Sequence, residues 1–178
     1  MKTFFINFIK KSSRKGFSLL ETLLYVAVSS VILLSVSLFL TVLLSSRIKN
    51  QAISDVNQQG LQIMQLVTQT IRNSKTVDFP SIGSTSNSLS VSVFDTLLSP
   101  TIFDIASGTV RIQEGSGNPI PLTNSHVTVS SLLFQNISSI SSTDRIIRIS
   151  FTIDYNNPSG RPENTFTQSF VGSATLRQ

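Results

Sequence analysis

The sequence predicts an α+β protein: one long N-terminal α-helix, apolar in its first half, packs by its second half on an antiparallel β-sheet head. Three observations predict it. Residues 17–46 form a run whose only charge is Glu21, no Pro interrupts residues 1–77, and the chain after Asn73 turns to Ser, Thr, Asn, Gly and Pro broken by short alternating runs. A length of 178 residues allows one ordinary domain, or a small domain plus a membrane segment, and excludes a multidomain enzyme.

Composition narrows the class further. The chain is 40% hydrophobic but only 13% charged, against a usual quarter or so, which excludes disorder by composition and suits a chain that partly leaves water. Cysteine is absent, so a disulfide framework, a zinc ribbon, a thiolate nucleophile and iron–sulfur ligation are all excluded. The net charge of +5 is local: Lys2, Lys10, Lys11, Arg14 and Lys15 precede Gly16, and the nine Lys and Arg that follow balance nine Asp and Glu. The basic character therefore belongs to a short leader rather than to a binding face.

The first element, residues 17–46, reads as a membrane-spanning helix. Crossing a bilayer takes about 20 apolar residues, and this run also exceeds the apolar core of a secretory signal, so it is expected to stay with the protein. Lys10, Lys11, Arg14 and Lys15 before the run outnumber Arg47 and Lys49 after it. The positive-inside rule then places the N-terminus in the cytoplasm and everything beyond residue 46 outside it. The apolar patch at residues 4–9 is too short to span.

Nothing stops the helix at the membrane surface, since Gly60 is the only Gly between Gly16 and Gly83. Ile48, Ala52, Val56, Gly60, Ile63, Val67 and Ile71 recur every three or four residues, flanked by Asn57, Gln58, Gln62, Gln65 and Gln69. That periodicity is an apolar stripe on an amphipathic helix and requires a covering partner. A helix over residues 17–73 would be about 85 Å long at about 1.5 Å per residue.

Strands follow. Leu89, Val91 and Val93 alternate with serines, Val110 and Ile112 flank Arg111, and Val127 and Val129 precede a run at residues 132–134. Ile147, Ile149, Phe151, Ile153 and Tyr155 alternate with polar residues, and Phe166, Gln168 and Phe170 mark a last strand. The N-N-P-S-G stretch at residues 156–160 reads as the turn of a final hairpin. One apolar face on such a sheet is a natural partner for the helical stripe.

The most specific stretch is K-G-F-S-L-L-E at residues 15–21, a basic residue and Gly followed by a large apolar residue and a lone acid at the head of a membrane helix. A charged carboxylate deep in lipid costs on the order of 3 kcal/mol, so Glu21 needs the interface, a proton or a positive partner. Cleavage between Gly16 and Phe17 would create an amine, and a neighbouring copy shifted along the helix axis could bring that amine to Glu21. These residues, with the long apolar run after them, resemble the type IV pilin and type II secretion pseudopilin superfamily. The resemblance implies cleavage after Gly16 by a prepilin peptidase, N-methylation of Phe17, and packing of subunits into a filament guided by Glu21. It implies as partners the prepilin peptidase, other pilin or pseudopilin subunits, an inner-membrane assembly platform and the lipid bilayer. Residues 1–16 are then a leader, 17–46 the transmembrane and polymerisation segment, 47–74 its amphipathic continuation and 75–178 the extracytoplasmic β head, exposed in the periplasm or outside the cell in a filament.

The ending S-A-T-L-R at residues 173–177 also resembles minor pilins and J- or H-type minor pseudopilins. Tyr25 departs from the family's usual aliphatics, and Leu38 stands where many major pilins carry a helix-breaking Pro, which favours a minor subunit. A competing reading of the same residues is a single-pass anchor displaying a β binding domain that never polymerises. Ser29, Ser30, Ser35 and Ser37 fit either small-residue helix packing or ordinary membrane-helix serines.

Catalytic chemistry has little support. His126 is the only histidine and lies in a strand-like stretch with no partner pattern, so an envelope hydrolase built on it is remote. Asp78, Asp95, Asp104, Glu114, Asp144, Asp154 and Glu163 are spread over the head, with no spacing that pairs them for acid–base work. Gly115 and Gly117 lack the Lys of a phosphate loop and read as a turn. No enzyme, cofactor or metal site is expected. From Lys75 onward, six basic residues face seven acidic ones, which gives no basis for nucleic-acid binding; Arg145 and Arg148 read as solvent-facing strand residues.

Overall fold

The computed structural model describes residues 16, 18–140, 144–157, 160 and 165–176. The leader charges Lys10, Lys11, Arg14 and Lys15, the proposed N-methylation site Phe17, and Glu163 and Arg177 lie outside these. The chain divides into two compact units, residues 1–43 and 44–178. A single α-helix, α1 (Leu19–Arg72), contributes to both. The expected layout is observed: a long N-terminal helix and antiparallel sheets.

In the first unit the described structure is the start of α1. The Ser18 carbonyl accepts the Glu21 N–H at 3.0 Å and the Thr22 N–H at 3.1 Å, which sets Ser18 at the boundary where the helix opens. Every described residue from Ser18 through Leu43 is exposed, and α1 is long and apolar enough to cross a membrane.

In the second unit the helix changes character. Residues through Gln51 are exposed, and burial then recurs at Ala52, Val56, Gly60, Ile63, Val67 and Ile71. The expected stripe is present except for Ile48, which is 42% exposed: the core begins one turn later, at Ala52. The helix ends at Arg72, and Ser74, buried at the start of the first strand, donates its hydroxyl to the Ile71 carbonyl at 2.7 Å.

Nine strands follow among the described residues: β1 (Ser74–Phe79), β2 (Thr85–Ser86), β3 (Leu89–Val93), β4 (Thr101–Ala106), β5 (Thr109–Glu114), β6 (Ile120–Pro121), β7 (Val127–Asn136), β8 (Ile146–Tyr155) and β9 (Thr167–Thr175). They form two antiparallel sheets where a single one was expected, in the orders β1-β3-β4-β5-β6 and β2-β7-β8-β9. Leu89, Val91, Phe103, Val110 and Ile112 from the first sheet share one core with Phe134, Ile149, Phe151 and Ile153 from the second and with the helical stripe. Burial of a side chain of this size stabilises by about 1.5–3 kcal/mol, so this shared core is the principal source of the head's stability.

One local departure has a physical cause. β7 buries Val127 and Val129, then Leu132 and Phe134, because a register shift between Val129 and Ser131 inserts a bulge that resets the alternation. In β9 Gln168 is exposed, while Phe170, Gly172 and Ala174 carry the inward row. Phe170 stacks on its register partner Phe151 with ring centroids 5.2 Å apart and planes 19° apart. After β8 the Gly160 N–H donates to the Asn157 carbonyl at 3.2 Å, and Gly160 adopts φ 64°, while residues 158 and 159 of the expected turn lie outside the described residues.

Candidate functional site

Before α1, Gly16 is exposed, and a side chain added there would meet no described residue within 4 Å. Glu21 lies in the first helical turn, where the unpaired N–H groups of the helix end carry partial positive charge and favour an acid. Its side chain is exposed and forms no ion pair with a described residue. After it come apolar side chains exposed on all sides of the helix, including Leu23, Leu24, Val31, Leu34, Phe39 and Val42. An apolar surface all round a helix is suited to lipid or to other helices, not to water.

Five hydroxyls within this segment turn back on the helix. Thr22 donates to the Leu19 carbonyl at 2.9 Å, Ser29 to Val26 at 3.0 Å, Ser35 to Val31 at 2.9 Å and Thr41 to Leu38 at 2.7 Å. Ser30 donates to the Val26 carbonyl as well. A buried or lipid-facing hydroxyl without a partner is costly, and these local bonds remove that cost without help from another chain. Ser29, Ser30 and Ser35 therefore supply small, satisfied positions at which a second helix can approach closely.

In the head, the sequence-predicted residues are not brought together. His126 is exposed in the turn directly before β7, a correction to its expected place on a strand: its backbone N–H is held by the Asn124 side-chain oxygen at 3.0 Å, which favours a turn over a ladder. Its Nδ1 stands 3.6 Å from Asp55 Oδ2 on α1, too long for a hydrogen bond, and that oxygen has no hydrogen-bond partner among the described residues. Asp78 accepts hydrogen bonds from Thr76 and Ser92, Asp95 caps the Leu97 N–H, and Asp154 accepts from Thr167. Among the described residues no three His, Asp or Glu side chains converge as a metal site would require. Arg148 is exposed on β8 and Arg145 precedes that strand. Gly115 and Gly117 form the turn after β5, with the Gly117 N–H on the Glu114 carbonyl at 2.9 Å.

Three polar arrangements escaped the sequence reading. Asp104 and Arg111 face each other across β4 and β5 in a two-pronged pair, Nε to Oδ1 at 2.9 Å and Nη2 to Oδ2 at 2.6 Å. The hydrogen bonds to Asp104 raise the Arg111 pKa above its ordinary value; burial opposes this and the Asp104 charge adds to it. Asn136 is buried and donates its amide to the Pro80 carbonyl at 2.9 Å, while its oxygen accepts the Ser138 N–H and hydroxyl. On the helix flank, the Gln59 side chain accepts the Asn124 N–H at 3.4 Å, one turn from Asp55 and His126. The only sequence signal for the last was two polar residues spaced by four beside the stripe.

No family model, curated protein or solved structure matches the chain.

Proposed function

We propose that this chain is a structural subunit, a minor pilin or pseudopilin, of a type IV pilus or type II secretion-like filament. One observation carries the reading: a single acid, Glu21, in the first turn of a helix otherwise apolar through residue 46, directly after a Lys-Gly-Phe junction. In this reading the chain is a single-pass membrane protein with its N-terminus in the cytoplasm. A prepilin peptidase removes the leader after Gly16, the Phe17 amine is methylated, and that amine neutralises Glu21 of an adjacent subunit. Three properties support it. Gly16 is exposed, and among the described residues nothing lies within 4 Å of where its side chain would be, as suits a scissile junction. The described residues of the apolar half of α1 are exposed along its length, and the hydroxyls of Thr22, Ser29, Ser30, Ser35 and Thr41 bond carbonyls of the same helix, which lowers the cost of entering lipid or a helix bundle. The packed core of the second unit starts only at Ala52, which leaves the preceding turns available for packing between subunits.

The role proposed is structural rather than catalytic, with no cofactor, metal or nucleic acid required. The decisive experiment is mass spectrometry of the mature N-terminus in cells with and without a prepilin peptidase. The expected product begins at Phe17, methylated, and Gly16→Leu retains the Lys-rich leader; a mature chain that still carries residues 1–16 in normally assembled material would sink the proposal.

A further inference from the structure

We propose that β9 is a self-pairing edge: two copies of this chain join their second sheets through antiparallel β9–β9 pairing about a twofold axis at Val171. This stands on the head alone and does not rest on the filament reading. A sheet edge is a row of unpaired N–H and C=O groups, and proteins usually blunt it with Pro, charge, bulges or brevity. Among the described residues, the other sheet edges are blunted. β2 and β6 are two residues each, β6 ends in Pro121, and β1 carries Lys75 and two register irregularities. β9 has none of these devices. It is 9 residues long, T-Q-S-F-V-G-S-A-T, without charge or Pro, and it pairs β8 without a register shift from Thr167 to Thr175.

The direction of the free backbone groups follows from the bonds already made. The Tyr155 N–H donates to the Phe166 carbonyl at 2.8 Å and the Leu176 N–H to the Arg145 carbonyl at 2.9 Å, at opposite ends of the same register. Antiparallel bonding alternates along a strand, so the even-numbered residues of β9 bond β8, and the odd-numbered ones direct their N–H and C=O to the open edge. Those are Thr167, Ser169, Val171, Ser173 and Thr175, all exposed. The Ser169 carbonyl accepts only a long local bond from the Gln168 amide, 3.3 Å, which a partner strand would replace.

The same five residues choose the partner. Read outward from Val171 in both directions they are identical: Ser, then Thr. A twofold axis at Val171 therefore sets Val171 against Val171, Ser169 against Ser173 and Thr167 against Thr175. Every facing pair is one whose backbone groups are free, and each such pair exchanges two hydrogen bonds. The outward side chains match as well, hydroxyl facing hydroxyl, as Thr152 already meets Ser169 at 3.0 Å across β8 and β9. Val171, 61% exposed, loses that exposure against its own copy.

The test uses the full chain in detergent or membranes, where native cysteines cannot interfere because there are none. Facing residues of a hydrogen-bonded antiparallel pair have Cα atoms about 5.5 Å apart, within the range of a disulfide. Val171→Cys is expected to cross-link to a dimer on mild oxidation. Ser169→Cys or Ser173→Cys alone places the two thiols four residues out of register, about 13 Å apart, and roughly tenfold less dimer is expected. Mixing those two variants restores the cross-link. Val171→Lys, on an exposed position that leaves the monomer's thermal melt unchanged, sets like charges face to face and abolishes the non-covalent dimer. Equal cross-linking by all three single cysteines, as parallel or random contact would give, or none by Val171→Cys in a folded chain, overturns the proposal.

Discussion

The ring of Phe170 occupies the space of the side chain that Gly60 lacks. A Cβ at position 60 would lie 2.1 Å from Phe170 Cζ, so the strand fills a gap in the helix. Two residues further along β9 the relation is reversed: Met64 of α1 reaches into the space above Gly172, where a Cβ would lie 2.7 Å from its sulfur. The pair of complementary gaps fixes the height of α1 against β9, because sliding either element would bring a large side chain onto an occupied position.

Gly60→Ala is therefore expected to destabilise the head. Ala is favoured over Gly in a helix interior by about 1 kcal/mol. Forcing a methyl into an occupied core site costs about 1–3 kcal/mol, and here the atoms displaced belong to a stacked ring rather than to a flexible chain end. Phe170→Val in the same chain makes room, so the double variant should be more stable than the sum of the single effects predicts. Urea denaturation of the detergent-solubilised chain measures this coupling; additive effects would show that Gly60 and Phe170 do not share the space.

Much of this packing was legible beforehand, and the illegible part has a common cause. The stripe from Ala52 to Ile71 and the alternation of β8 are local periodicities imposed by burial on one side, so they appear directly in the order of residues. β4 was missed because Ile102, Phe103 and Ile105 leave no clean alternation. The division into two sheets was missed because it is decided by pairings remote in the chain, such as Thr85 with Gln135. At the helix start, the place of Glu21 in the first turn is legible because it is the only charge in a long apolar run. The networks of Asn136 and Asp104 are not, because each joins segments that only folding brings together.

Asn136 should be the least replaceable polar residue of the head. Its amide holds the Pro80 carbonyl, its oxygen takes the Ser138 hydroxyl at 2.6 Å, and that hydroxyl oxygen accepts the Ile146 N–H at 2.8 Å. The turn before β2, the end of β7 and the start of β8 are thus tied at one buried point. Asn136→Leu removes the tie and leaves the Pro80 carbonyl without this donor, at an expected cost of about 1–3 kcal/mol per group left unsatisfied. Ser138→Ala breaks only the second half and should cost less. A denaturation midpoint for Asn136→Leu equal to that of the parent would contradict the role.

The β4–β5 hairpin offers a change in the opposite direction. Ser107 at φ 52° and Gly108 at φ 74° form a two-residue turn with both residues left-handed, the geometry that matches the twist of a hairpin. Asn tolerates this conformation better than Ser, so Ser107→Asn should stabilise by a few tenths of a kcal/mol. Gly108→Ala should do the reverse, since its φ is strained for Ala and its methyl would lie 2.6 Å from Thr128 Cγ2. Thermal unfolding of the two variants is expected to shift in opposite directions.

Glu21 distinguishes a helix cap from an assembly contact. As an acid in the first turn of α1 it would stabilise its own helix by about 0.3–1 kcal/mol, and Glu21→Gln would forfeit little. As the counter-charge for a neighbouring amine in a water-poor bundle, its neutralisation leaves that amine buried and unpaired, a loss of about 3–5 kcal/mol. At about 1.4 kcal/mol per factor of ten, this means at least a hundredfold less incorporation into filaments. Glu21→Gln and Glu21→Ala should therefore be equally defective in assembly, with both precursors inserted and cut normally. Quantifying each variant in sheared filament and membrane fractions checks this, and assembly of Glu21→Gln at the parent level would assign the carboxylate to the helix alone.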